Sequence, residues 1–126
     1  MTDPFLEAVA RDLQLSNPHA SIDELKAVLA LSKMWRYEWG VIFAIENDMH
    51  IHVLTKHRKK VYLRKPIVET ISEMFARYEV LTTVVLKIRG VRLFEHYIKM
   101  GWKLKDETNR EWMLEMRKED FVYGKN

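Results

Sequence analysis

Residues 49–87 switch between two hydrophobic periodicities, and this segment constrains the fold more than any other part of the sequence. A strand-like run from Met49 to Thr55 leads into a basic stretch, and apolar side chains then recur at helical spacing between Pro66 and Tyr78. The next run, from Val80 to Lys87, is β-branched and nearly continuous, which is typical of a strand buried on both faces. When a crossover helix joins two strands of one sheet, the two strands run parallel and the connection is right-handed. The segment therefore predicts a parallel βαβ unit.

Two helices and an antiparallel section are predicted before this unit. Asp3, followed by a proline, is in place to cap a first helix, and Ser21 with Glu24 forms a capping box for a second. Residues 34–55 then alternate aromatic and β-branched side chains around a turn at Asn47. That pattern indicates an antiparallel hairpin or a three-stranded meander.

After the unit, residues 91–100 have the pattern of a short helix with Phe94, Tyr97 and Ile98 facing inward. Gly101 can end this helix, and a hairpin follows. The predicted element order is ααββ(β)αβαββ. We therefore predict an α/β (α+β) fold with a mixed sheet, in a single domain over residues 1–126. Residues 1–33 form its helical N-terminal part, and residues 34–118 form the sheet with two crossover helices.

Charge is divided unevenly along the chain. Residues 1–55 carry four basic and eight acidic side chains, a net charge of −4, whereas residues 56–126 carry seventeen basic and ten acidic ones, a net charge of +7. As a solvated loop, a basic cluster needs no partner. As an anion site it suits cofactor phosphates, an acidic protein or, with less support, nucleic acid. Six of the basic residues fall within ten positions: Lys56, Arg58, Lys59, Lys60, Arg64 and Lys65.

Several classes of site are excluded by what the sequence lacks. The chain has no cysteine, so it has no disulfide, thiolate metal site or cysteine nucleophile. His50 and His52 fall on one face of the predicted strand and supply at most half of a metal site. Because no third ligand stands out, we expect no metal. No apolar run approaches the ~20 residues of a membrane span, and the N-terminus has no signal-peptide pattern. We expect a cytoplasmic protein without membrane contact.

Residues 49–118 resemble the GCN5-related N-acetyltransferase (GNAT) superfamily. In that family a strand ends in a loop of pattern Q/R-x-x-G-x-G/A that opens the central helix, and a later helix ends in a pattern such as N-x-x-A-x-x-x-Y-x-x-x-G-F. Here Arg58 begins the loop, Tyr97 stands at the tyrosine position, and Gly101-Trp102 replaces Gly-Phe. The chain is similar to small phage-encoded GNAT-like proteins, including an internal-virion-protein group of short-tailed phages, which implies a location in the host cytoplasm.

The resemblance implies a GNAT-like fold and transfer of an acetyl group from acetyl-CoA to an amine. Tyr97 would donate a proton to the departing thiolate, and His50 or His52 would accept one from the amine. From the residues alone, Tyr97 also fits the buried stripe of a short helix, and the two histidines fit a half-exposed strand face. The pantetheine arm would be held by the main chain of Val53, Leu54 and Thr55. The cofactor phosphates would be held by Arg58, Lys59, Lys60, Val61, Tyr62, Leu63 and Arg64.

The loop also departs from the family pattern, and this favours a second function. Val61 and Leu63 stand at both glycine positions, where side chains crowd the approach of backbone to a pyrophosphate. We therefore predict that acetyl-CoA binds with a dissociation constant above roughly 100 µM or does not bind at all. The alternative is a catalytically inactive GNAT-fold protein that binds a host or virion protein through its basic loop. If the first strand is a sheet edge, the alternative contact surface is the aromatic row Trp35, Tyr37 and Trp39.

Overall fold

The computed structural model describes residues 3–57 and 64–121, which contain four α-helices and six β-strands in the predicted order. The described chain divides into two compact units. One unit draws on residues 1–46 and 50–62, and the other on residues 47–49 and 63–126. No helix in the described part of the chain is long and apolar enough to cross a lipid bilayer.

The first unit has two capped helices and an antiparallel section. Asp3 accepts hydrogen bonds from the backbone N–H groups of Phe5 and Leu6, and the Ser21 hydroxyl accepts one from the Glu24 N–H at 3.0 Å. Both predicted caps are confirmed. Its elements are α1 (Pro4–Ser16), α2 (Ile22–Leu31), β1 (Lys33–Tyr37), β2 (Gly40–Ile45) and most of β3 (Asp48–Val53). Its hydrophobic core is formed by Val9, Ala10, Leu29, Val41 and Phe43.

The second unit contains the crossover helices and the C-terminal hairpin. Its elements are α3 (Arg64–Phe75), β4 (Val80–Leu86), α4 (Val91–Met100), β5 (Lys103–Glu107) and β6 (Glu111–Arg117). β4 pairs with β6 antiparallel along its whole length. β5 also pairs with β6 antiparallel, with a register shift between Leu104 and Asp106. All five residues of β5 are exposed.

β3 and β4 are neighbouring parallel strands, which confirms the predicted βαβ unit. Asp48 is in register with Thr82, and the Thr82 hydroxyl donates a hydrogen bond of 2.7 Å to the Asp48 carboxylate. The Thr82 N–H also donates to the Asn47 carbonyl at 3.0 Å. The strand order of the mixed sheet is β1-β2-β3-β4-β6-β5, so β1 and β5 are its edges.

Two predictions about burial are wrong. β4 is not buried on both faces, because Leu81, Thr83 and Val85 are buried whereas the residues between them are only partly buried. Ile98 of α4 does not face inward either, since its side chain is 40% exposed. The buried residues of α4 are Tyr97 and Met100, three positions apart. That spacing sets the direction of the buried face, and Ile98 lies about 100° around the helix from Tyr97.

Gly101, which ends α4, gives a testable prediction. Its φ is 116°, in the left-handed region, and a Cβ there would lie 2.3 Å from the Asp120 carbonyl oxygen. We expect Gly101→Ala and Gly101→Asn each to lower the free energy of unfolding by more than about 2 kcal/mol. Asparagine tolerates the left-handed region but still carries the clashing Cβ.

Urea denaturation measures this effect, with Lys99→Ala as an exposed control change in the last turn of the same helix. The control should leave the unfolding midpoint nearly unchanged. A Gly101→Asn variant as stable as the wild type would mean that backbone conformation, and not the clash, fixes glycine at this position.

Candidate functional site

Asp12 lies in the third turn of α1, and its carboxylate accepts hydrogen bonds from residues at the end of β3. Nε2 of His52 lies 2.7 Å from its Oδ1. The Thr55 N–H donates to both carboxylate oxygens at 3.2 Å, and the Thr55 hydroxyl donates to Oδ1 at 3.1 Å. The contact joins a helix of the first 16 residues to the strand that precedes the basic loop. The predicted site residues His52 and Thr55 therefore share one partner.

The contact between Asp12 and His52 is largely shielded from solvent. The His52 side chain is 4% exposed and the Asp12 side chain 17% exposed. Burial alone would raise the pKa of Asp12, but hydrogen bonds from the Thr55 N–H, from His52 and from the Thr55 hydroxyl outweigh it and hold that pKa below its usual value of 3.8. Asp12 is therefore ionised at neutral pH, and the bonds that it accepts are charge-assisted.

Sequence reasoning missed Asp12, although a signal was present. Phe5, Val9 and Asp12 follow the spacing i, i+4, i+7, which places the carboxylate on the apolar stripe of α1. A carboxylate on such a stripe requires buried donors, because an uncompensated buried charge is costly. The sequence could have indicated that Asp12 has a partner, but not that the partner lies 40 positions away.

The backbone at the end of β3 is already hydrogen-bonded within the protein. The Leu54 N–H donates to the Trp39 carbonyl at 2.8 Å, and the His57 N–H donates to the Leu54 carbonyl at 2.8 Å. Since the Thr55 N–H is directed to Asp12, neither Leu54 nor Thr55 offers an amide donor to a pantetheine arm. A ligand at this strand end would therefore meet carbonyl oxygens, which can accept two hydrogen bonds each, rather than amide donors of Leu54 or Thr55.

His50 and Tyr97, the other predicted catalytic residues, have different surroundings. His50 is partly buried and packs against Phe43, with ring centroids 5.2 Å apart. Tyr97 belongs to the second unit, is 8% exposed, and contacts Trp102 edge-on with a centroid distance of 5.9 Å. Burial raises the pKa of Tyr97 to about 12, and the charge of Arg89 opposes that shift. Its hydroxyl therefore keeps its proton at neutral pH.

Trp102 carries a further polar group near Tyr97. Its side chain is 1% exposed, and its Nε1–H has no hydrogen-bond acceptor among the residues that the structure describes. A buried donor of this kind needs an acceptor from outside the described chain, such as water or a ligand oxygen.

The remaining predicted cofactor residues lie at the edge of the described chain. Arg58, Lys59, Lys60, Val61, Tyr62 and Leu63 are outside the described residues, and Arg64 is the first residue of α3. Within residues 3–57 and 64–121, no group of three or more histidine or acidic side chains is arranged to hold a metal ion. Of the aromatic row, Trp35 and Tyr37 lie on the edge strand β1, and Trp39 lies in the turn that follows it. The rings of Tyr37 and Trp39 stack 4.7 Å apart.

No family model and no curated protein sequence matches this chain. Among solved structures, the chain is similar to a chimera of the spermidine N-acetyltransferase SpeG from Vibrio cholerae and hSSAT, a member of the GNAT superfamily, with a TM-score of 0.70 and 13% sequence identity. The match covers 98% of this chain and 96% of that one. The fold is GNAT-like. The expected fold class is thereby confirmed, and at this identity the likeness concerns the fold alone.

The carboxylate contact gives a prediction about stability and pH. Asp12→Asn leaves a buried donor without its full acceptor, so we expect it to lower the free energy of unfolding at pH 7 by about 1–3 kcal/mol. The folded-state pKa of Asp12 is depressed. Its stabilisation is therefore complete above the unfolded pKa and is lost as pH falls through the folded one.

The stability difference between wild type and Asp12→Asn should therefore shrink below pH 3.8, the unperturbed value for the carboxyl group. Urea titrations at pH 7, 5, 4 and 3 measure it. Glu7→Gln is the matched control, because Glu7 is on the same helix but pairs with Arg11 and Lys26 at the surface. A difference that stays constant down to pH 3 would contradict the depressed pKa.

Proposed function

We propose that this protein is an acetyl-CoA-dependent N-acetyltransferase that acts on a primary amine. The observation that carries the proposal is the GNAT-like fold over nearly the whole chain. Acetyl-CoA supplies a thioester: the acetyl C–N bond forms as the C–S bond breaks, the amine nitrogen loses a proton and the sulfur gains one. The chain must then provide a proton donor, a proton acceptor and groups that hold the cofactor.

Tyr97 is the proposed proton donor. A hydroxyl whose pKa is about 12 remains protonated throughout the physiological pH range, and a thiolate leaving group is a stronger base than the thioester sulfur that it replaces. The same burial that keeps the proton in place also excludes water from the ring.

His50 suits the role of proposed proton acceptor better than His52. His52 is buried and its Nε2 is directed at Asp12, whereas His50 is partly exposed and can reach an amine without breaking that contact. A neutral imidazole ring has a nitrogen that can accept the proton that the attacking amine loses. In this proposal, the carbonyl groups at the end of β3 bind pantetheine. The conformation of that strand end is maintained by His52, Leu54 and Thr55.

The function is tested by titrating acetyl-CoA calorimetrically and by measuring thiol release with a panel of primary amines. The panel includes spermidine, because the structural neighbour is a spermidine N-acetyltransferase, together with lysine peptides and free amino termini. We expect Tyr97→Phe to lower the turnover number about 100-fold or more while leaving acetyl-CoA affinity and the unfolding midpoint nearly unchanged.

Tyr78→Phe is the matched control, because it removes a hydroxyl from a partly exposed tyrosine that packs beside Arg77. It should retain wild-type turnover. A Tyr97→Phe enzyme with full turnover would remove Tyr97 from the proposed chemistry. A wild-type protein that neither binds acetyl-CoA nor acetylates any amine of the panel would contradict the function itself.

A second candidate function is supported by the loop sequence. Val61 and Leu63 replace the loop glycines. Side chains at these positions crowd the approach of the backbone to a pyrophosphate and so weaken cofactor binding. This favours a catalytically inactive GNAT-fold protein that binds an acidic host or virion protein through its basic loop.

For that candidate, Lys59→Glu/Lys60→Glu should abolish binding to immobilised polyglutamate and leave the melting temperature unchanged or slightly raised, because like charges in the cluster repel one another. Raising the salt concentration should weaken binding by the wild type. Lys99→Glu/Lys118→Glu, which changes the net charge equally, is the control and should retain binding. Stronger binding to duplex DNA than to polyglutamate would instead favour a nucleic-acid partner.

A further inference from the structure

We propose that Asp12 is a positioning residue for cofactor binding, acting through the main chain at the end of β3. The inference rests on the proposed acetyltransferase function and assigns to α1 a part in it. Asp12 itself does not contact the cofactor in this proposal. It fixes the orientation of the peptide group between Leu54 and Thr55, and the carbonyl groups next to this peptide contact the cofactor.

The argument begins with the peptide between Leu54 and Thr55, which is held on both sides. Its N–H donates to the Asp12 carboxylate at 3.2 Å, and its carbonyl accepts from the His57 N–H at 2.8 Å. A peptide group is planar, so two opposed hydrogen bonds define its orientation. Thr55 is also the first residue of the short 3-10 turn Thr55–His57, and Asp12 caps that turn from a different helix.

The second step concerns the strength of this hold. Three donors converge on one ionised carboxylate: the His52 ring, the Thr55 N–H and the Thr55 hydroxyl. Hydrogen bonds to a charged acceptor are about twice as strong as neutral ones. His52, 4% exposed, is enclosed by the protein, and it limits how far the carboxylate can move. The contact is therefore a rigid one, whereas Thr55 itself lies at the surface.

The third step concerns how the fixed orientation of this peptide affects cofactor binding. In the proposed function, the carbonyl oxygens of the strand end accept the amide N–H groups of pantetheine, since the Leu54 and Thr55 N–H groups already have partners. Functional groups must be held within about 0.5 Å of their productive position to be effective. Releasing the Thr55 N–H from Asp12 frees this peptide to rotate and so misplaces the adjacent carbonyl oxygens.

The test is an NMR-monitored titration of the 15N-labelled full chain with acetyl-CoA, which measures dissociation constants into the millimolar range. We expect Asp12→Asn to weaken binding about tenfold and to shift the Thr55 amide signal upfield in the free protein. The Trp102 indole signal should not move, which shows that the second unit keeps its structure. Glu7→Gln removes the same charge from the same helix and should change the dissociation constant less than about twofold.

A second variant keeps the proposal testable if Asp12→Asn is too unstable. Thr55→Val alters an exposed residue, removes the hydroxyl contact and retains the N–H contact with Asp12. It should weaken binding by about threefold, less than Asp12→Asn does, because one bond of the set is lost.

The outcomes separate the inference from the function on which it rests. A wild-type protein without saturable shifts overturns the acetyl-CoA function, and the positioning role with it, before any variant is compared. If the wild type binds but Asp12→Asn binds equally well, the positioning role alone is wrong. Equal weakening by Glu7→Gln would assign the effect to charge. Tighter binding by Asp12→Asn would mean that the carboxylate competes with the ligand for the Thr55 N–H.

Discussion

The cost of burying a carboxylate governs the arrangement around the end of β3. Asp12 sits on the apolar side of α1, where an ionised group is tolerated only if donors replace the water that it loses. His52 and Thr55 supply those donors. The helix, the strand and the turn after it are consequently fixed relative to one another by one charged group. The apolar packing of Val9, Val41 and Phe43 in the core of the same unit is non-directional and sets no such orientation.

Much of the fold could be predicted from the sequence, because helix ends are set by neighbouring residues and a strand–helix–strand pattern pairs its two strands in parallel. The caps at Asp3 and Ser21, the left-handed end of α4 at Gly101 and the parallel pairing of β3 with β4 all follow from such patterns. Burial was harder to predict. The alternation of β4 depends on what covers each face, and the direction of α4 depends on whether Tyr97 or Ile98 points inward.

The candidate site was predicted only in part, and the reason is distance along the chain. His52 was singled out for its chemistry, yet its environment depends on a residue 40 positions earlier, which no periodicity reveals. Likewise the raised pKa of Tyr97 results from burial, and burial is a property of the assembled unit. The similarity to an acetyltransferase at 13% identity shows the same difference between what determines a fold and what determines a site. Architecture depends on many interchangeable apolar residues, whereas a site depends on a few that are not interchangeable.

The two edges of the sheet differ, and this limits how copies of the chain can join. β5 is entirely exposed, interrupted by a bulge and rich in charge, including Lys103, Lys105 and Asp106. Such features discourage the addition of another strand. β1 pairs with β2 in regular register and has no bulge. A fibril that grows by strand addition needs two receptive edges on every copy. With β5 protected, association through sheet edges ends when two β1 strands have met, so the fold resists open-ended aggregation.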